Sequence, residues 1–166
     1  MGVFDFFNSF SRTPSIQSVL PDVAKQQIMS GTLPKLKPSN LFLKRTETCH
    51  YADRAIYEKR IVGKQRVRKN NGYSVPGLFK GTRIHVGRGN TETFDTVKYE
   101  NIKGILYVTD RRIIFVGGHE GFDRKIDELI AITPYTNCIE FQFSKETYKI
   151  FVPDGSIIHQ VLRLLQ

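Results

Sequence analysis

Residues 104–117, Gly-Ile-Leu-Tyr-Val-Thr-Asp-Arg-Arg-Ile-Ile-Phe-Val-Gly, constrain this chain more than any other stretch. Two runs rich in β-branched and aromatic residues, 105–109 and 112–116, flank Asp110-Arg111. Such residues suit a pleated, half-buried surface, and Gly104 and Gly117 punctuate the outer ends, so the stretch predicts a β-hairpin. Its tight turn calls for positive φ, which Asp110 tolerates, although glycine is the preferred second residue. Alternation sets Ile105, Tyr107 and Thr109 on one face and Leu106 and Val108 on the other. Arg111 and Arg112 are then expected at an exposed tip.

Strand patterns surround this hairpin. Downstream, residues 122–126 predict a strand, 127–129 a turn or helical piece, and 130–132 a further apolar run. Ile139, Phe141 and Phe143 alternate with Glu140, Gln142 and Ser144, the pattern of a half-buried strand. Residues 148–152 pair with it through Lys145-Glu146-Thr147. Asp154 then caps a final helix whose apolar stripe is Ile157, Ile158, Val161, Leu162 and Leu165. Upstream, strands begin near Leu41, and residues 55–67 form a long half-exposed strand with a basic outer side. Asn70-Asn71-Gly72 and residues 87–90 are turn signals, with a strand between Lys80 and Gly87 and another over 91–99.

The first part of the chain differs. Residues 1–35 predict an N-terminal helical extension and linker, and residues 36–166 the body of the domain. Phe4, Phe6, Phe7 and Phe10 are candidate contacts for a partner, a second copy or a membrane. Val3, Phe6, Phe7 and Phe10 share one helical face. The polar face lacks the basic residues of most interfacial anchors, which favours a short helix docking on the domain or on a second copy. Thr13-Pro14 has the form of a helix start, with Pro21 as a kink or break before Gly31.

The chain has 166 residues, 40% hydrophobic content and a formal net charge of +9, enough for a real core and a preference for anionic partners. Two cysteines, Cys49 and Cys138, are too few for a disulfide framework and are expected as buried thiols. With no signal-peptide pattern and no long apolar stretch, the expected location is cytoplasmic, with peripheral membrane association as an extension of it.

The stretch 104–115 resembles the hairpin signature of GRAM and bacterial pleckstrin-homology-like domains, in which Gly-x-Leu-Tyr, an aliphatic, Thr, Asn or Asp, x, Arg and an aliphatic-aliphatic-Phe run is typical. Lys125-Ile126-Asp127-Glu128-Leu129-Ile130-Ala131-Ile132 is similar to the stretch that follows it there. The resemblance covers roughly residues 36–166. It implies a mainly β (α+β) fold, a split seven-stranded β-barrel with a C-terminal capping helix. Residues 54–99 make a longer insert than such a domain needs. The basic loop of eukaryotic lipid-binding members has no clear counterpart here, so phosphoinositide specificity is not implied.

The densest charge lies in that insert. Arg54, Lys59, Arg60, Lys64, Arg66, Arg68, Lys69, Lys80, Arg83 and Arg88 are candidate anion-binding residues, with Glu58 the main acidic interruption. A solvated outer strand face explains the same run without any ligand. Tyr57, Tyr73, Phe79 and His85 lie among these residues and offer stacking surfaces for bases. Gly81, Gly87 and Gly89 lack the Lys-Ser/Thr of a phosphate loop and suit turns. Cys49-His50 are adjacent and share no ligand spacing with His85, His119 or His159. Asp123, Asp127 and Glu128 suit a loop-facing edge better than a catalytic pair. No catalytic residue, metal, cofactor or small-molecule substrate is therefore expected. The expected function is a non-enzymatic binding or adaptor module whose basic face docks on an anionic membrane surface or a protein partner, with homo-oligomerisation through the N-terminal region. The alternative is a regulator that binds nucleic acid or a nucleoprotein complex, encoded by a mobile element.

Overall fold

The computed structural model describes residues 14–76 and 83–166, with side chains placed for 14–69 and 89–166. Among the described residues the fold is mainly β: seven antiparallel strands in one open sheet, with two short helices. The elements are α1 (Asp22–Met29), β1 (Cys49–Pro76), β2 (Arg83–Thr109), β3 (Arg112–Gly117), β4 (Gly121–Lys125), β5 (Leu129–Pro134), β6 (Cys138–Phe143), β7 (Thr147–Phe151) and α2 (Gly155–Leu164). The described residues fall into two compact units, one ending at Lys59 and resuming at Glu100, the other spanning Arg60–Tyr99.

In the first unit the strand order β4-β3-β2-β1-β7-β6-β5 puts β4 and β5 at opposite edges. They are nevertheless consecutive in the chain, joined by the 3-10 turn Ile126–Glu128. Six flat inter-strand steps would separate them by roughly 29 Å. The four steps from Lys125 to Leu129 reach only about 14 Å. The sheet must therefore curl, and its side chains show that it does. Phe122 on β4 stacks on Tyr148 of β7 at 4.0 Å between centroids, and Tyr57 of β1 meets both rings. The concave face holds the core: Tyr51, Leu106, Val108, Ile113, Phe115, Ile139, Phe141 and Ile150 are buried together.

The opening hairpin forms as its composition predicts, with Leu106 opposite Phe115 and Val108 opposite Ile113. Its turn departs from expectation. Asp110 does not take positive φ; among the described residues Thr46 is the non-glycine residue that does. The Thr109 hydroxyl instead accepts from the backbone N–H groups of Arg111 and Arg112, at 3.1 and 2.8 Å, and closes the turn from the side. Arg112 is also buried, not at an exposed tip as its position in the hairpin suggested; Arg111 is exposed.

Both helices pack into the same core. Asp154 caps α2, accepting from the Ser156 N–H, and Ile157, Ile158, Val161 and Leu162 are buried. Gly155 opens this helix against the 135–138 turn, where a Cβ would lie 2.1 Å from the Tyr135 carbonyl oxygen and 2.7 Å from that of Cys138. Gly155→Ala should therefore cost about 1–3 kcal/mol in chemical denaturation, whereas Gly118→Ala, with nothing within 4 Å, should be nearly neutral.

At the N-terminal side, residues 14–19 are not helical, so Pro14 does not start a helix. The single described helix there begins after Pro21, whose fixed φ of −57° sits at the N-cap position, where a missing N–H is harmless. Leu20, Ala24 and Ile28 join the main core, with Ile28 fully buried. The buried Asp53 carboxylate holds this segment by accepting from Ser18 Oγ, Val19 N and Leu20 N. Residues 20–28 are thus integral to the first unit. Residues 41–44, expected as the start of strand structure, are not in a strand.

Candidate functional site

The second unit is a two-stranded ribbon made from β1 and β2. Strand runs straight through Asn70-Asn71-Gly72 and through residues 87–90, the two places where the sequence signals turns. The ladder between two long partners outweighs local turn preference, since each turn would forfeit several backbone hydrogen bonds. The ribbon is antiparallel: Thr96 Oγ1 donates to the Gly63 carbonyl at 3.2 Å, and Lys69 pairs with Glu92 at 3.0 Å, six residues further along β1 and four back along β2. A Cβ on Gly63 would meet Thr96 Oγ1 at 3.1 Å, so these two residues share a face.

Strand alternation then sorts the charges. Arg60, Lys64, Arg66 and Arg68 lie on one face of β1, all exposed, with Val62 among them. The matching face of β2 carries Thr91, Thr93, Asp95, Val97 and Tyr99. Glu92 and Asp95 are the acidic residues between positions 60 and 99, and Glu92 lies on the other face with its partner Lys69. The first face is therefore a row of four cations answered by one carboxylate, running over roughly 27 Å. Val62, Val97 and Tyr99 stay exposed between them. Two strands alone bury no core of their own, so these side chains have nowhere to retreat.

The other candidates are placed differently. Arg54 and Lys59 belong to the first unit, and Arg54 is exposed there. Lys59 forms an ion pair with Glu120, whose hydrogen bond pushes its pKa up. Lys80 and the four phenylalanines Phe4, Phe6, Phe7 and Phe10 lie outside the described residues. Arg83 and Arg88 are within β2, but their side chains lie outside the description.

Two further features of the first unit were not visible in the sequence. A groove of about 580 Å³ opens beside the aromatic stack, lined among others by Tyr57, Lys59, Glu120, Arg124, Glu146 and Tyr148. Its cations are answered internally, Lys59 by Glu120 and Arg124 by Glu146. That leaves the groove a weaker attractor for anions than the ribbon face. At the hairpin turn, Arg112 Nε and Nη2 donate to the two Glu47 oxygens at 2.8 and 2.9 Å, and Nη1 donates to Asp123 at 2.6 Å. Burial pushes the Glu47 carboxyl up, but hydrogen bonds from Arg112, the Lys44 N–H and Thr109, with the Arg112 charge, hold it down at about 2. Asp123 is thereby a structural ion-pair partner.

Cys49 and Cys138 are both buried and unbridged, and burial pushes the Cys49 thiol up to about 11, leaving it protonated and unreactive. His50, also buried, bonds the Pro34 carbonyl at 2.8 Å through Nδ1. Among the described residues no helix is long and apolar enough to cross a membrane. No protein-family model matches the chain, and a search of curated proteins finds no match either.

Proposed function

We propose that this chain is a non-catalytic docking module of the GRAM/pleckstrin-homology-like kind, and that the basic face of its ribbon rests on an anionic membrane surface. The seven-strand order ending in a capped helix, and the hairpin sequence, support the scaffold assignment. One observation carries the functional reading: Arg60, Lys64, Arg66 and Arg68 share a face with exposed Val62, Val97 and Tyr99. Cations drawn to anionic headgroups, with short apolar and tyrosyl side chains between them, suit the interfacial zone of a bilayer. Nucleic acid would be served by the same charges. It gains less from Val62 and Val97, which offer no stacking surface for bases.

Co-sedimentation with vesicles tests this. The chain should pellet with phosphatidylserine-containing vesicles at low salt and remain in solution with pure phosphatidylcholine. No pelleting with anionic vesicles at low salt removes the reading. A salt-steep gel shift on duplex DNA in that same case would move the partner to nucleic acid.

A further inference from the structure

Phe42 is 98% exposed, in a loop that is otherwise firmly held. Its neighbours Leu41 and Leu43 turn inward and pack against Cys49, Tyr107 and Ile114. The Phe42 carbonyl accepts from Arg112 Nη2 at 3.3 Å. Lys44 N donates to the buried Glu47 carboxylate at 2.7 Å, and Glu47 N donates back to the Lys44 carbonyl at 3.0 Å. Thr46 holds the next turn at a φ of +68°, its hydroxyl accepting from Arg111 Nη2 at 2.8 Å. A non-glycine residue in that region is strained, and the surrounding bonds keep it there. The loop therefore presents a large aromatic ring to solvent from a fixed backbone.

The surroundings of that ring are basic. Residues 23–46 contain Lys25, Lys35, Lys37, Lys44 and Arg45 and no acidic residue. Lys35, Lys37, Lys44 and Arg45 are all exposed. Beside the hairpin turn, Lys44 of this loop, Arg111, Arg112 and Lys125 at the end of β4 line one depression together with Asp110 and Asp127. A fully exposed phenylalanine on a segment, 30–46, whose charged residues are all basic matches an anionic bilayer: the cations reach the headgroups while the ring enters the apolar boundary.

We infer that Phe42 is a membrane-inserting side chain, with Lys44, Arg45, Arg111 and Lys125 as its headgroup contacts. This is a second lipid contact, on the first unit, and it rests on the membrane reading proposed above for the ribbon. It differs in kind. The ribbon's attraction is screened by salt, while insertion of a ring is not.

The chain contains no tryptophan, so Phe42→Trp installs a single reporter. On phosphatidylserine-containing vesicles its emission should shift to the blue and be quenched by brominated acyl chains. In parallel, Phe42→Ala should lower vesicle partition about tenfold or more at high salt, with an unchanged melting temperature, because the ring makes no core contact. A Phe42→Trp chain that pellets with vesicles while its indole emits as in water, unquenched, overturns the insertion and leaves the ribbon reading standing. A wild-type chain that does not pellet with anionic vesicles at all overturns both.

Discussion

Arg112→Met is expected to destabilise the fold by about 3–5 kcal/mol, the usual cost of removing one partner from a buried ion pair. The side chain is mostly buried, and the Glu47 carboxylate it neutralises is 0% exposed. Without the guanidinium, Glu47 keeps only the Lys44 N–H and the Thr109 hydroxyl, and the loop carrying Phe42 loses one of its bonds to the hairpin. A urea titration reads the loss directly. A cost below about 1 kcal/mol would show that the pair is incidental. The same pair sets an acid limb. A carboxyl held at about 2 in the fold and 4.5 when unfolded stabilises the protein fully above pH 4.5. That contribution, up to about 3 kcal/mol, fades as pH falls through about 2. In Arg112→Met the limb should be shallower, since the largest of the effects that lower the pKa has gone.

Lys64→Glu combined with Arg66→Glu should abolish most vesicle binding. Each cation near an anionic leaflet is worth about 1 kcal/mol. Two reversals remove two attractions and add two repulsions, roughly 4 kcal/mol, or about a thousandfold in partition. The folded state should hardly notice. Both residues are exposed on the ribbon, and among the described residues neither is in an ion pair. Unfolding curves of the variant and wild type should therefore coincide, which separates lost binding from lost structure. Arg60 and Arg68 stay in place, so a residue of salt-sensitive binding should survive at the lowest ionic strength.

Some of this was legible in the amino-acid sequence and some was not, for physical reasons. The hairpin at 104–117, the alternation at 139–143 and the Asp154 cap are local patterns, and local patterns survive folding when the global fold agrees with them. The ribbon was half legible. Its basic strand was visible, but Asn70-Asn71-Gly72 and the glycines near 87–90 suggested breaks that a long pairing partner overrode. Arg112 was misplaced at an exposed tip because its partner Glu47 lies 65 positions earlier, beyond any window of pattern. Phe42 was taken as part of a strand run; Leu41 and Leu43 do turn inward on either side of it, yet with no paired strand the alternation only exposes the ring. Charge density was readable, but the sorting of charges was not. Lys59 belongs to an ion pair with Glu120, whereas Lys64 and Arg66 belong to a face, and only strand register separates the two cases.

The central claim is that the ribbon's charge face brings this chain to an anionic bilayer. Partition onto phosphatidylserine-containing vesicles, measured side by side for the wild type and the Lys64→Glu/Arg66→Glu chain from low to physiological salt, tests it most directly. The wild type should bind strongly at low salt and weaken steadily as salt rises, with the variant far below it throughout. Equal partition of the two chains, or wild-type binding indifferent to salt and to lipid charge, would contradict the account.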